Sequence, residues 1–518
     1  MKHIYLIITS CVYILVYFLL FNRYRYNIDA DGIAYIQQAR QYAAGNFQIA
    51  LNGCWSPLIA WILAPFIKVG FDPLLTLKYL NGFWGLATLL SFYFLSARFE
   101  MDVFFKKCFI IFLPLLLLSY VFYVLGPDLL QLFLMSLYLH VLFSKKFFDS
   151  NIKLIAIGLL GALCYFAKAY SFYFFIIHIS IVLFFVVKKE NIHNYLKKYL
   201  LRLCMVWIAF FLFCSPYIFL ISNKYEKFTV STASAITQNN RLEPSFTDGR
   251  KLVVAPKGNM ALSISDDPSF FQGKYINMFS SPHYFLKQIK ITIANFFEYF
   301  KLLNEISFLA ISIILIFVFI KILKPLKEIP SADFILSLTV LFYPMGYLLI
   351  AIEWRYIWLL PILLLLMCGV IIKYLDLKFK INLYTKAVAV FFLFISFSLK
   401  PILILLHSNE LPNEYNLAKK IKDRGVQGSF FSNMSGWENK SKSYKIAYWN
   451  NMKLFGFYNP AYNYIDITNE SKKFGVKYFF YFYNSPEEKE KVLRSDFSKA
   501  AVEIISDIDE VIVYKLKQ

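Results

Sequence analysis

The sequence predicts a polytopic α-helical membrane protein with about 11 transmembrane helices and a small C-terminal α/β domain. The 518 residues are 58% hydrophobic and 19% aromatic, and their mean hydropathy is +0.53, which is more apolar than soluble domains are. Apolar runs near the ~20 residues that cross a bilayer recur up to residue 406. From residue 409 onward the composition becomes polar and charged.

Each apolar run is interpreted as one span. The first has only a short basic flank and no small-residue cleavage site, which indicates a retained helix rather than a signal peptide. The predicted spans are 4–21, 74–96, 108–125, 129–143, 154–167, 171–187, 203–222, 306–322, 334–352, 357–372 and 387–406. They define a transmembrane domain at 1–408, followed by a soluble domain at 409–518.

The formal net charge of +21 is interpreted as topology, and no nucleic-acid partner is predicted. Lys and Arg cluster in every second connection, where the positive-inside rule expects cytoplasmic loops. These clusters lie near 98–107, 145–153, 188–202, 321–327 and 373–380. The N-terminus is then cytoplasmic, whereas loops 23–73 and 223–304 and the tail lie outside the cytoplasmic membrane of a bacterium.

The first outer loop is the most informative stretch. Asp29 and Asp31 precede a predicted helix at 32–44, which ends at Gly45. Helical spacing puts four polar residues on one face: Asp31, Tyr35, Gln38 and Tyr42. Such a helix can present an acid at the membrane surface, although either aspartate could instead serve only as the helix N-cap.

Further charged residues collect at the predicted outer face. Asp128 occupies a tight Gly-Pro-Asp turn, where a plain turn residue is the alternative. Lys168 interrupts an apolar run, and a buried cation there needs a partner or a path to water. Glu353 and Arg355 flank Trp354 at a helix start, so Arg355 either grips a phosphate or pairs with Glu353.

The long outer loop and the tail have their own patterns. Residues 282–303 carry an apolar stripe typical of an interfacial helix, and the loop containing them suits a lid or a binding element. In the tail, strands are predicted at 429–431, 476–483 and 511–516, and helices at 413–423 and 486–497. The tail either positions an acceptor or is a structural cap.

Five short segments resemble the GT-C superfamily of integral-membrane glycosyltransferases, and more narrowly the bacterial branch related to protein O-mannosyltransferases and the lipid A aminoarabinose transferase. They read DADGIAYIQQARQYAAGNF, NGCWSPL, GPDLL, YFAKAYSFY and EWRYIWLLP. The likeness covers most of residues 1–405, and the tail resembles the outer domain of many such enzymes. It implies transfer of a sugar from a polyprenyl-phosphate donor to a hydroxyl or amine acceptor at the outer membrane face.

The resemblance also implies roles for individual residues. Asp29 or Asp31 is expected to be the catalytic base, with Asp128 as the acid of the second outer loop. Lys168 and Arg355 are expected at the donor phosphate. The predicted site is therefore catalytic Asp29, Asp31 and Asp128; phosphate-binding Lys168, Arg355 and Tyr356; and substrate-binding Tyr35, Trp55 and Glu353.

The expected partners are a polyprenyl-phosphate sugar donor, a glycan, lipid or protein acceptor, and membrane lipids. No cofactor is predicted with certainty. No Cys or His pair shows zinc spacing, so no metal ligand is assigned, although a divalent ion at the acids is left open.

Two other functions fit parts of the pattern. A lipid-linked glycan transporter or flippase would also have about a dozen spans, but the internal repeat expected of it is not visible. A polymerase or ligase of O-antigen type would also use polyprenyl-linked glycans at the outer face, but its site typically rests on a loop rich in Arg and His. The acids of the first loop favour the transferase.

Overall fold

A computed structural model describes residues 3–144, 147–189, 195–243, 255–256, 258, 260–270, 276–323, 330–406, 411–433, 437–457 and 463–517. Parts of the basic connections at 145–153, 188–202 and 321–327 lie outside these ranges, as does the predicted domain boundary at 408/409. The described residues form a mostly helical chain that ends in a small β-sheet.

Each predicted span falls on helices before the tail, but the predicted spans 306–322 and 334–352 are each divided between two helices. The helices before the tail are α1 Ile4–Tyr24, α2 Ala30–Ala43, α3 Phe47–Ala50, α4 Leu58–Lys68, α5 Pro73–Ser96, α6 Val103–Tyr123, α7 Asp128–Leu142, α8 Asn151–Ala167, α9 Tyr170–Lys189, α10 Tyr195–Lys224, α11 Ala233–Leu242, α12 Pro282–Ile306, α13 Ala310–Ile322, α14 Ser331–Phe342, α15 Met345–Ile350, α16 Leu359–Phe379 and α17 Leu383–Leu406. Short 3₁₀ segments lie at Phe147–Asp149, Ile264–Asp266, Pro268–Phe270 and Trp354–Ile357.

Within the described ranges, seven helical segments are long and apolar enough to cross a membrane, or eight if α12 and α13 form one span bent by 94°. α4, α7 and α8 are apolar but shorter. The polytopic fold class is confirmed, whereas the count of 11 spans is not. The sequence analysis did not anticipate α4, because its eleven residues are too few for a span.

Burial separates the inner helices from the outer ones. In α16, Leu359 through Ile371 are all buried, as expected for a helix that is apolar on every side and packed at the centre of a bundle. α1 instead exposes one apolar side, including Leu15 and Leu19, while Tyr13, Tyr17 and Tyr24 are buried. α12 begins at Pro282, as the interfacial-helix prediction expects, and it exposes an apolar stripe that includes Phe297.

The tail forms a mixed five-stranded sheet with helices, more than the three strands and two helices that the sequence predicts. Its helices are α18 Leu411–Asp423, α19 Trp437–Asn450, α20 Tyr464–Phe474, α21 Pro486–Leu493 and α22 Phe497–Ala500. The strands are β1 Ser429–Ser432, β2 Lys453–Phe457, β3 Tyr478–Phe482, β4 Ala501–Ile505 and β5 Val511–Leu516, in the order β2-β1-β3-β5-β4. β1 pairs in parallel with β2 and β3, whereas β5 is antiparallel to β3 and β4.

Candidate active site

Four segments that are distant in sequence meet around one arginine. Arg355 lies in the 3₁₀ turn after α15, and its Nη1 is 2.7 Å from Asp31 Oδ2 in the first turn of α2. The same nitrogen is 4.0 Å from Asp128 Oδ2 at the start of α7. Lys168, which follows α8, forms an ion pair with the other oxygen of Asp128. The structure therefore gathers Asp31, Asp128, Lys168 and Arg355 into one cluster.

Asp29 takes a different position in this cluster. It is the N-cap of α2, and its carboxylate accepts hydrogen bonds from the backbone N–H of Gly32 at 3.4 Å and of Leu125 at 3.0 Å. The first bond is an ordinary cap. The second joins the first outer loop to the segment that leads into the Gly-Pro-Asp turn, so Asp29 holds the two acid-bearing segments together.

The surroundings of Asp29 also change its acidity. Burial raises the pKa of its carboxyl, and the nearby Asp31 charge adds to this, while Arg355 and the Leu125 N–H oppose it. The pKa of Asp29 is thereby raised to about 6. A carboxyl in this range exchanges its proton near neutral pH.

Arg355 is shared between three carboxylates. Besides Asp31 and Asp128, it reaches Glu353, with 2.9 Å between Arg355 Nε and Glu353 Oε2. The pairing of Arg355 with Glu353 that the sequence left open is therefore present, but it uses only one edge of the guanidinium. The other edge faces Asp31.

Lys168 lies against aromatic rings. Its Nζ is 4.0 Å from the centre of the Tyr356 ring and 5.7 Å from that of Tyr347, distances at which a cation is attracted to the ring face. Tyr356 stacks on Tyr347 with ring centres 4.9 Å apart, and the Tyr356 hydroxyl donates to Glu353 at 3.2 Å. The buried cation that the sequence singled out thus has Asp128 and two tyrosines as neighbours.

Tyr35 and Trp55 lie on the α2 side of the cluster. Their rings meet edge to face, with centres 5.4 Å apart. Burial raises the pKa of Tyr35, and the charges of Asp31 and Asp128 add to the rise, which puts its hydroxyl in the field of both acids. The indole N–H of Trp55 donates to the backbone carbonyl of Ser265 at 2.8 Å, so this group fastens the first loop to the long outer loop.

Two polar residues of α5 support the site and were missed by sequence reasoning. Lys78 Nζ donates to the carbonyl of Asn27 at 2.7 Å, and Asn81 Nδ2 donates to the carbonyls of Val121 and Val124, at 3.1 Å each. They hold the backbone on both sides of the Asp29–Leu125 contact. The signal was present, because a lysine inside an apolar run is rare without a function.

The carboxylates do not form a metal site in this arrangement. Within the described part of the chain, no group of three or more His, Cys, Asp or Glu side chains is close enough to hold a metal ion. Asp31 and Asp128 face cations instead.

Comparison by sequence finds no matching protein-family model and no matching curated relative. Comparison of structures is more informative. The chain resembles the crystal structure of ArnT from Cupriavidus metallidurans bound to undecaprenyl phosphate, with a TM-score of 0.55 and 12% identity over 99% of this chain and 98% of that one. The chain shares the overall fold of this ArnT structure.

Two crystal structures of the Archaeoglobus fulgidus oligosaccharyltransferase share this GT-C fold. The one tethered to an acceptor peptide has a TM-score of 0.51 and 10% identity over 93% of this chain and 69% of that one. The complex with Zn and sulfate has a TM-score of 0.50 and 12% identity over 83% of this chain. The match covers 59% of the length of that oligosaccharyltransferase. The GT-C resemblance seen in the sequence is confirmed as a fold.

Proposed function

We propose that the protein is a membrane glycosyltransferase that moves a sugar from a polyprenyl-phosphate donor to a hydroxyl or amine acceptor at the outer face of the membrane. The observation that supports this best is the convergence of Asp31, Asp128, Lys168 and Arg355 from four separate segments. The fold shared with ArnT bound to undecaprenyl phosphate supports the choice of lipid. The acceptor is a glycan, a lipid or a protein.

Asp31 is the better candidate for the base. Both carboxylate oxygens of Asp29 accept hydrogen bonds from backbone N–H groups. The carboxylate of Asp31 instead faces the guanidinium of Arg355, and its side chain is 20% exposed. A base must reach the acceptor proton, and a partly exposed carboxylate can do so. We assign Asp31 to proton abstraction, and Asp29 to positioning through the Leu125 contact.

Lys168 and Arg355 are assigned to the donor phosphate. When the bond between sugar and phosphate breaks, negative charge develops on the phosphate oxygen, and preorganised cations in a site with little water stabilise it strongly. The planar guanidinium of Arg355 also suits a phosphate geometrically. Tyr356 positions the Lys168 ammonium through its ring face.

The tail is proposed to act as the outer domain, in the division 1–408 and 409–518. It contacts the first outer loop: Tyr415 stacks on Tyr26, just before α2, with ring centres 4.1 Å apart, and the Arg40 guanidinium of α2 lies 5.4 Å from the centre of the Tyr448 ring. The Ser265 hydroxyl also donates to Tyr444 at 2.7 Å. An acceptor approaching α2 from outside would therefore meet the tail.

Transfer of labelled sugar tests the proposed function. Membranes containing the full chain receive polyprenyl-phosphate donors with a labelled sugar, and incorporation into acceptors is measured. Loss of the base or of the phosphate cation should each lower the rate by about 100-fold or more, so Asp31→Asn and Arg355→Ala are the test variants.

Two controls make this result specific. Glu503→Gln removes an exposed ion pair with Lys515 between the edge strand β4 and its neighbour β5 and should leave transfer unchanged. Asp29→Asn keeps a good helix cap and should retain more activity than Asp31→Asn. Equal and complete loss in both aspartate variants would contradict the choice of Asp31, and absence of transfer by the wild type with every donor would contradict the function.

A further inference from the structure

The two cations assigned to the donor phosphate are already neutralised by carboxylates. Arg355 is 2.7 Å from Asp31 and 2.9 Å from Glu353, and Lys168 is paired with Asp128. The four charged groups of the Asp31–Arg355 and Asp128–Lys168 pairs are each at most 20% exposed, so water screens them weakly. A phosphate can gain the full attraction of either cation only if a carboxylate that is paired with that cation moves away from it.

Asp31 is the carboxylate best placed to give way. Asp128 is 3% exposed and stays on Lys168, and Asp29 is fixed by two backbone N–H groups. Glu353 is half exposed, but its carboxylate also accepts a hydrogen bond from the Tyr356 hydroxyl. Asp31 meets the edge of Arg355 that points toward Asp128 and Lys168, where a phosphate would bridge both cations.

We propose that the phosphate of the donor replaces Asp31 on Arg355, so that Asp31 becomes free to act as a base only when the donor is bound. This inference rests on the proposed function. It makes donor binding the event that exposes the base.

The charges balance through the transfer. The acceptor O–H gives its proton to Asp31, the acceptor oxygen bonds to the anomeric carbon, and the bond between that carbon and the phosphate oxygen breaks with its electron pair on the phosphate. The carboxylate loses its charge as the phosphate goes from one negative charge to two. The total stays constant, and both charges of the product lie beside Arg355 and Lys168. A diphosphate would bring extra negative charge that the departure of one carboxylate does not offset.

Binding of undecaprenyl phosphate to the full chain in lipid nanodiscs tests the exchange. Because Asp31→Asn removes the competing charge, this variant should bind undecaprenyl phosphate about tenfold more tightly than the wild type, although its sugar transfer should fall by about 100-fold or more. Glu503→Gln, which removes only an exposed ion pair with Lys515 in the tail sheet, should bind within about twofold of the wild type. Arg355→Ala should bind more weakly than all three. Asp31→Ser is a second neutral replacement if the asparagine variant does not fold.

The outcomes separate the two proposals. Equal or weaker binding by Asp31→Asn, with measurable wild-type binding that Arg355→Ala reduces, overturns the exchange and leaves the transferase standing. No binding of undecaprenyl phosphate by the wild type overturns both the exchange and the transferase.

Discussion

Asp29 and Asp31 are two residues apart in sequence, yet their positions on the backbone give their carboxylates different contacts. The chain enters α2 with Asp29 in an extended conformation, so its carboxylate turns back onto the first N–H groups of the helix. Asp31 lies one residue inside the helix, where its side chain points away from those groups and meets Arg355. About half a turn of helix thus separates the acid proposed for positioning from the acid proposed as the base.

The raised pKa of Asp29 gives a pH dependence with a definite sign. Between its ordinary value of 3.8 and about 6, the folded state holds the proton more tightly than the unfolded state does, so the contribution of Asp29 to stability falls as pH rises through this window. Lowering the pH from 7.5 to 5 should therefore stabilise the wild type relative to Asp29→Asn by about 1 kcal/mol.

Thermal unfolding of both proteins at the two pH values measures this difference. Asn is the matched replacement because it caps helices nearly as well as Asp and does not titrate. A relative stability that is independent of pH, or that moves the other way, would mean that Asp29 keeps an ordinary pKa.

At the scale of elements, the site depends on how closely α2 approaches the backbone before α7. A Cβ added at Gly32 would lie 2.8 Å from the carbonyl oxygen of Leu125, so only glycine allows this approach. The same contact carries the hydrogen bond from Leu125 to Asp29. The first turn of α2 is thereby held at a fixed distance from Asp128.

Gly32→Ala should therefore disturb the site more than the fold. The added methyl pushes α2 away from Leu125, which lengthens the distance between Asp31 and Arg355, and sugar transfer should fall by about 100-fold because misplacement of ~1 Å costs that much. Gly85→Ala is the matched control, since its Cβ would meet the Tyr13 hydroxyl between α1 and α5 instead.

Comparing Gly32→Ala with Gly85→Ala shows whether the approach of α2 to Leu125 has a role in catalysis. We expect Gly85→Ala to lower the thermal midpoint and leave the turnover of the folded fraction near that of the wild type. If Gly32→Ala also loses only stability, the approach of α2 to Leu125 has no role in catalysis.

At the scale of the whole molecule, the tail and the first outer loop form one surface. β2 joins the long outer loop through a hydrogen bond of 2.7 Å from the Leu454 N–H to the Leu262 carbonyl, and α18 contacts the segment between α1 and α2 through the Tyr26–Tyr415 stack. The sheet therefore helps to hold the loops around the site.

Weakening the contact between the tail and the first outer loop should reduce acceptor binding more than donor binding. Tyr415→Ala removes an aromatic pair worth about 1 kcal/mol beyond its buried area, so the KM for the acceptor should rise severalfold while undecaprenyl phosphate binds as in the wild type. Steady-state transfer and lipid binding measure the two effects, with Glu503→Gln, elsewhere in the tail, as the control. An unchanged KM would favour a purely structural cap.

The prediction of helices and strands rested on the local periodicity of polar and apolar residues. The helix predicted at 32–44 is found at Ala30–Ala43, because its polar stripe and its glycine stop depend only on neighbouring residues. The edge strands β2 and β4 were missed because their residues are mixed in polarity, and they are strands only because β1 and β5 lie beside them. The count of about 11 spans is not confirmed, since some of the predicted apolar runs, such as those of α7 and α8, form helices of only 15 and 17 residues.

By itself, the sequence determined the membrane fold class and the charged residues worth examining, since hydropathy and unusual charges are properties of short segments. Only the tertiary structure decided which charges meet. The pairing of Asp31 with Arg355 spans more than three hundred residues, and it depends on how the helix starts pack at one end of the bundle. The choice between Asp29 and Asp31 depends on a backbone N–H of Leu125, a group that every non-proline residue carries and no side-chain pattern can reveal.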